Sequence, residues 1–258
     1  MTASPAAKIA NRITRASQLA STYPSAASIL SFYRELALFQ KSVSEAVQSN
    51  AVTDTGALLQ HFPALFDLVR RIGPAPIAEF GSEHLQNPAA QQALLAGYWE
   101  NGPLDELTGS DAARFFARVL LQPYAEYLAS RGDIALDRAE PTCPFCNARP
   151  VAAVLRGEGD GGKRWLLCSL CATEWQYRRV ICPACGEEDK EKLPIYIASE
   201  FDYIRVDACD SCRAYIKSVD LTKNGHAIPI VDEIATVALN IWADEHGYWK
   251  LEPNLLGM

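Results

Sequence analysis

CPFCNARPVAAVLRGEGDGGKRWLLCSLCATEWQYRRVICPACGEEDKEKLPIYIASEFDYIRVDACDSC, residues 143–212, contains every cysteine of the 258-residue chain. They fall as four Cys-x-x-Cys pairs: Cys143/Cys146, Cys168/Cys171, Cys182/Cys185 and Cys209/Cys212. Two cysteines separated by two residues can bend both sulfurs toward one ion, and two such knuckles complete a tetrahedron. Twenty-one residues separate the first two pairs and 23 the last two, room for a strand pair in each and usual for zinc-ribbon and rubredoxin-like units. The offset from Cys143 to Cys182 is 39 residues, so one small unit is repeated in tandem across the ten-residue link Ala172–Ile181. Sequential pairing is the simplest assignment: Cys143, Cys146, Cys168 and Cys171 hold one ion, and Cys182, Cys185, Cys209 and Cys212 the other. A cross-braced arrangement is the alternative. Four thiolates suit structural zinc and also a mononuclear iron able to pass one electron, and spacing alone leaves that choice open.

Details of the knuckles agree. Pro144 and Pro183 follow the first cysteine of their pairs and pre-set a turn. Asn147 and Gly186 follow the second, where positive φ is often required. Ala172 and Arg213 hold that place in the other two knuckles and are less typical. A thioredoxin-like oxidoreductase needs one reactive pair on a βαβ scaffold, which this pattern lacks. Gly157-x4-Gly162-Lys163 imitates a phosphate loop, but Arg164 replaces the needed Ser or Thr, and Glu158 and Asp160 would repel phosphate; it reads as a hairpin loop.

The rest of the chain frames this block. Residues 1–139 are expected to form a helical domain. The clearest helix follows Pro24, with Ile29, Phe32, Leu36, Phe39, Val43 and Val47 on one face. Ala57–Ile72 is a second helix, Pro76 opens a short third, and Pro88 to Trp99 a fourth, closed by Asn101-Gly102-Pro103. Ser110-Asp111 caps a further helix, in which Pro123 is expected to make a kink and which Gly132 ends. Strands are expected at 165–167, 195–197, 203–206 and 215–219. The metal units are assigned to 140–181 and 182–226. The segment 227–258 holds a last helix, with Ile234, Val237, Ala238, Ile241 and Trp242 on one face, and an aperiodic tail.

Charge and composition exclude some functions. The formal charge is −7, and two tetrathiolate sites with divalent ions would take it to roughly −11. Lys and Arg are scattered, which argues against a nucleic-acid binder. The N-terminal MTASPAAKIANRITRAS has no apolar run behind its basic residues, so it does not read as a secretory signal, and nothing approaches the ~18 apolar residues of a membrane span. The cytosol is the expected compartment, where paired cysteines mean metal or redox chemistry. His61, His84, His226 and His246 are isolated and read as surface or capping residues. Glu187-Glu188-Asp189 and Asp232-Glu233 read as solvated faces, and Trp175 as packing between the metal units or meeting a partner. No nucleophile–base arrangement is visible, so no enzyme is expected.

Several segments together resemble a known family. CPFCNARPVAA, LLCSLCATEWQYRRVICPACG, ACDSCRAYIKSVD and VDEIATVALNIWADEHGY, with LLQPYAEYLA before them and EPNLL after, resemble the formate dehydrogenase accessory proteins, the FdhE family. The resemblance covers about residues 111–256, is weaker through TRASQLASTYPSAASILSFYRELALFQ, and implies a start later than that of many members. It implies an α+β fold: a helical N-terminal domain, two tandem rubredoxin-like/zinc-ribbon metal units and a C-terminal helix. It implies a cytoplasmic, non-catalytic protein that binds the catalytic subunit of respiratory formate dehydrogenase before export. It tips the metal toward iron, with zinc the alternative. The eight cysteines correspond to the family's ligands; the partner-binding residues stay unknown. A zinc-ribbon interaction module with another client and a rubredoxin-like electron carrier are the competing readings.

Overall fold

The computed structural model describes residues 3–102, 110–136, 140–158 and 161–258. The chain divides into two compact units: residues 1–14, 31–132 and 255–257, and residues 15–30, 133–254 and 258.

Helices α1 (Pro5–Thr22), α2 (Ala27–Gln48), α3 (Phe62–Ile72), α4 (Ala75–His84), α5 (Pro88–Asn101) and α6 (Asp111–Arg131) fill the N-terminal part of the chain. Most match the periodicity. On α2, Leu36, Phe39, Val43 and Val47 are buried, as the spacing requires, and Ile29 and Phe32 are half-buried. The Asn87 side chain accepts the Ala90 N–H to cap α5, and Ser110 does the same for Ala113 on α6. Pro103, the expected stop after α5, lies outside the described residues. Helix α1 is not announced by periodicity, because its buried stripe is Ile9, Arg12, Ala16 and Leu19, which includes a charge and a small residue. Arg12 is buried because Glu126 meets it with two hydrogen bonds, Nη1–Oε1 at 2.7 Å and Nη2–Oε2 at 3.0 Å.

Helix α6 contains Pro123 and runs on to Arg131. Proline has no N–H, so the carbonyl four residues back, on Val119, loses its helical partner. The Gln40 side chain supplies one: its Nε2 donates to that carbonyl at 3.1 Å. The orphaned acceptor is satisfied by a neighbouring helix, and α6 continues past the proline.

In the second unit a seven-stranded sheet carries both cysteine blocks. Its strands are β1 (Pro150–Glu158), β2 (Gly161–Cys168), β3 (Glu174–Tyr177), β4 (Ile195–Ile197), β5 (Ile204–Ala208), β6 (Ala214–Asp220) and β7 (Trp249–Lys250). The order is β3-β2-β1-β6-β5-β4, with β7 beside β6. The four expected strands appear as β2, β4, β5 and β6. Three others add to the expectation. β1 follows the first knuckle, β7 forms in the tail, and β3 falls in the presumed link, where Trp175 and Tyr177 are buried and Gln176 is exposed. Trp175 is fully buried and its indole N–H donates to the Glu140 carbonyl, so it packs within the protein instead of facing a partner. β1 pairs with β6 in parallel, Ala153 to Ser218 through Leu155 to Asp220. The tandem units therefore share one sheet. On the Gly157–Lys163 string, Gly157 pairs with Gly162 and Glu158 with Gly161, as in a hairpin; Gly159 and Asp160 lie outside the described residues.

The single C-terminal helix is two, α7 (Pro229–Ala235) and α8 (Val237–Glu245), broken at Thr236. Ile241, expected on the shared face, is exposed. At the break sits Lys217 of β6, which is wholly buried. Its ammonium donates to the Glu233 carbonyl at 2.5 Å and to the Thr236 carbonyl at 3.2 Å, acceptors that a helix end leaves open. Its counter-charge is the Glu233 carboxylate at 2.8 Å, which Lys250 also meets and to which Asn254 Nδ2 donates at 2.7 Å. Asp232 is equally buried: it takes the Nε and Nη2 of Arg15 at 3.0 and 2.5 Å, the Tyr203 hydroxyl at 2.8 Å and the Ile228 N–H at 2.7 Å. Asp232-Glu233 is thus no solvated face. Both carboxylates are interior and fully engaged.

Candidate metal centres

Each knuckle repeats one backbone pattern. The first cysteine's N–H donates to the carbonyl five residues on: Cys143 to Ala148, Cys168 to Thr173, Cys182 to Glu187 and Cys209 to Ala214, each at 2.9 Å. The residue after the second cysteine has positive φ in all four: Asn147 at 59°, Ala172 at 53°, Gly186 at 78° and Arg213 at 61°. Ala172 and Arg213, the untypical residues at this place, adopt the same conformation against their preference. Arg213 is held there by its side chain. It stacks over Tyr248 at 3.9 Å and donates to the carbonyls of Gly247 and His246 at 3.2 and 2.5 Å. The tail adds to this hold, since the Trp249 indole donates to the Cys212 carbonyl at 2.8 Å.

Gly186 isolates the torsional requirement, because a Cβ there would meet no atom within 4 Å. Gly186→Ala is expected to lower stability by about 1 kcal/mol through left-handed strain alone. Denaturant titration of the metal-loaded variant would measure this, with metal content unchanged.

The fold brings the cysteines together in the sequential pairing. Cys143, Cys146, Cys168 and Cys171 form one group and Cys182, Cys185, Cys209 and Cys212 the other, with all sulfurs in a group within 4.8 Å of one another. None forms a disulfide. In the first group Sγ–Sγ distances are 3.5 Å for Cys143/Cys171, 3.3 Å for Cys146/Cys168 and 3.6 Å for Cys146/Cys171. In the second, Cys182/Cys212 and Cys185/Cys209 are both 3.7 Å apart. A tetrahedron of sulfurs about 2.3 Å from one ion has edges of about 3.8 Å, so the donor set fits a single metal ion in each group. Backbone amides point at the sulfurs, as thiolates require: Leu170 and Cys171 N–H donate to Cys168 Sγ at 3.3 and 3.4 Å, and Ala184 N–H to Cys182 Sγ at 3.4 Å.

The sulfurs are not equivalent as acids. Hydrogen bonds from Cys146, Cys168 and Cys171 pull Cys143 far below the ordinary thiol range. Burial, then the bond to Cys143, pushes Cys168 up, and the bond to Cys143 pushes Cys171 up. Metal ligands must be thiolates, so binding a divalent ion would release the protons the sulfurs carry. The groups also differ in exposure: Cys143, Cys168 and Cys171 are buried, whereas Cys185 is exposed and Cys212 half-buried.

Glu187, expected on a solvated face, braces the second group. Its carboxylate accepts the Ser211 hydroxyl at 2.5 Å and the N–H groups of Glu188 and Asp189 at 3.1 and 3.0 Å, linking the two knuckles. The Ser211 bond, with those amides, holds this carboxyl down at about 2. No sequence motif marks it; only its position one residue past Gly186 hints at the role. The histidines join neither group. His61 lies edge-on to Phe39, His84 packs tilted against Phe80, His246 stacks on Trp242 and His226 is exposed.

Comparison with known proteins gives this arrangement a family. The FdhE central-domain model matches residues 142–179 and the FdhE C-terminal-domain model residues 180–256. A protein FdhE homolog of Aquifex aeolicus is 36% identical over 208 residues, 79% of this chain and 71% of that protein. The chain belongs to the FdhE family. A Pseudomonas aeruginosa homolog is 31% identical over 78% of this chain and 64% of its own length, and a Pseudomonas putida homolog 33% identical over 68% and 56%. The chain thus spans between about half and seven-tenths of these relatives. The crystal structure of the FdhE protein from Pseudomonas aeruginosa superposes with a TM-score of 0.67 at 25% identity, over 96% of this chain and 95% of that one. The FdhE fold therefore includes the helical region, which the two family models leave unmatched. No helix among the described residues is long and apolar enough to cross a membrane.

Proposed function

We propose that this chain is a non-catalytic accessory factor for maturation of respiratory formate dehydrogenase, which binds the enzyme's catalytic subunit in the cytoplasm before export. Each cysteine group holds one mononuclear ion, iron in preference to zinc. The observation that carries the reading is the pair of four-cysteine groups built into one continuous sheet, in a chain that belongs to the FdhE family. Sharing a sheet makes the ions structural anchors of a single rigid surface. A client would meet that surface as one face.

The test is co-purification of the metal-loaded chain with the formate dehydrogenase catalytic subunit. Capture by the intact chain, and its loss in a variant with Cys143 and Cys146 both replaced by serine, is the expected result. Full capture by a chain emptied of metal would overturn the platform. Thiolate-to-iron absorption bands in anaerobically purified and then oxidised protein would establish iron; a colourless zinc protein would establish the alternative.

A second reading has one observation in its favour. Cys185 is exposed, which puts a ligand of the second group at the surface, where an electron could leave. A one-electron carrier would then show a reversible potential for that centre, and a redox-silent iron or zinc protein would exclude it.

A further inference from the structure

Beside the second cysteine group lies a cavity of about 190 Å³. Its walls include Arg164, Val180, Leu193, Ile195, Arg205 and Leu251. Arg164 dominates its chemistry. The side chain is 3% exposed, yet its Nε and Nη2 have no hydrogen-bond partner among the described residues. Nη1 is engaged, donating to the Ile181 carbonyl at 3.2 Å. Nε and Nη2 form one edge of the guanidinium, the fork that grips a carboxylate with two parallel bonds. The same edge of Arg15 holds Asp232 in this protein.

The nearby carboxylate of Asp207 does not fill the fork. Its Oδ2 is 3.7 Å from Arg164 Nη2 and takes the Ser218 hydroxyl at 2.6 Å, while Arg205 Nε is 2.8 Å from Oδ1. Charge asks for another anion. Arg164, Arg179, Lys190 and Arg205 line the cavity against one carboxylate, Asp207. Even with two net negative charges on a neighbouring divalent tetrathiolate, the balance is about one positive charge. Leaving a buried guanidinium edge unpaired is costly, so a partner of opposite charge is strongly favoured.

Size and walls narrow the partner. Cofactor pockets usually run to ~300 Å³ or more, so this one suits a single residue. The sheet ends at β4, next to the cavity, and its Ile195 and Ile197 are 51% and 58% exposed. An edge strand with aliphatic side chains is a surface along which an extended peptide can lie.

We propose that this cavity binds a carboxylate presented by an aliphatic peptide segment, with Arg164 as its bidentate anchor and β4 as the rail beside it. That the carrier is a peptide rests on the accessory reading above; the anion site rests on the cavity itself.

The experiment is fluorescence anisotropy on the full metal-loaded chain with three labelled peptides. One ends in Ile-Leu with a free carboxylate, one is its C-terminal amide, and one is an amide with an internal Ile-Asp-Leu. Either acidic peptide should bind, the two arms assigning a terminal or a side-chain carboxylate, and the plain amide should not. Arg164→Lys keeps the charge but loses the fork, and should weaken binding about tenfold with metal content unchanged. Should Arg164→Lys lose metal or fold, Ile195→Asp at the exposed rim must give the same loss. Equal binding of acid and amide, no binding of either acid, or wild-type affinity in the folded variants would overturn the site. Displacement by inorganic phosphate at equal concentration would replace the peptide with a free anion and overturn the proposal. The titration contains no dehydrogenase, so failure to capture that enzyme leaves this result standing.

Discussion

Replacing Cys168 with serine is expected to lose one of two ions and to unfold the sheet segment around it. Cys168 ends β2, is buried, and receives two backbone N–H bonds at its sulfur. An apolar cluster centred on Val151, Ala152, Val154 and Leu167 packs on this hairpin. Such a cluster cannot replace a structural ion, whose binding is worth ~10 kcal/mol or more to folding. Metal analysis should fall from two ions per chain to one, with loss of β-sheet signal in circular dichroism. Cys185→Ser should be milder. Its sulfur is at the surface, and the second group is also braced by Glu187–Ser211 and by the Trp249 bond to the Cys212 carbonyl. In the unmodified chain, a chelator should therefore remove the second ion first. Simultaneous loss of both ions, or first loss from the buried group, would contradict this asymmetry.

Breaking the buried charge cluster at the α7–α8 junction should be nearly as damaging. Glu233→Leu takes from the buried Lys217 ammonium the carboxylate that balances it, at an expected cost of about 3–5 kcal/mol. Lys217→Met should cost less, about 2–3 kcal/mol, since Lys250 and Asn254 still hold Glu233 while the carbonyls of Glu233 and Thr236 lose their donor. Denaturant titration should return that order; a larger loss for Lys217→Met would show that capping outweighs charge. The cluster also sets an acid limit. Burial would raise the Glu233 carboxyl, but Lys217 and Lys250 outweigh it and hold it at about 2, against an ordinary 4.5. The folded state thus binds this proton less readily than the unfolded chain. Its contribution is complete above about pH 4.5 and fades as pH falls toward 2. Acid titration of the wild type should show this loss, and Glu233→Leu should not.

The metal groups were legible because the chemistry is local: a Cys-x-x-Cys turn encodes its own geometry, and the tandem repeat encodes the pairing. The long helices were legible from their period. What stayed hidden was decided by distant partners. Arg12 in α1, Asp232 and Glu233 in α7 and Lys217 in β6 look like surface charges until Glu126, Arg15 and Lys250 arrive from elsewhere in the chain. Nothing near Pro123 in sequence reveals that Gln40 satisfies the Val119 carbonyl. These residues also account for segments that bind no metal. Glu126 lies in LLQPYAEYLA, and Asn254 in EPNLL, so these cysteine-free stretches of the chain carry buried polar contacts.

The parallel pairing of β1 with β6 has a consequence for how the protein is made. A ribosome that has just released Cys171 has delivered a complete first set of sulfurs, and a metal could be captured at once. The strand beside them cannot be covered, because Ser218, Val219 and Asp220 come about fifty residues later. At ~5–20 residues per second that interval lasts several seconds, during which β1 presents a bare edge to other chains. Early metal capture would fix the hairpin's shape through that interval, so metal starvation during synthesis should reduce yield by aggregation before it reduces the stability of the finished molecules.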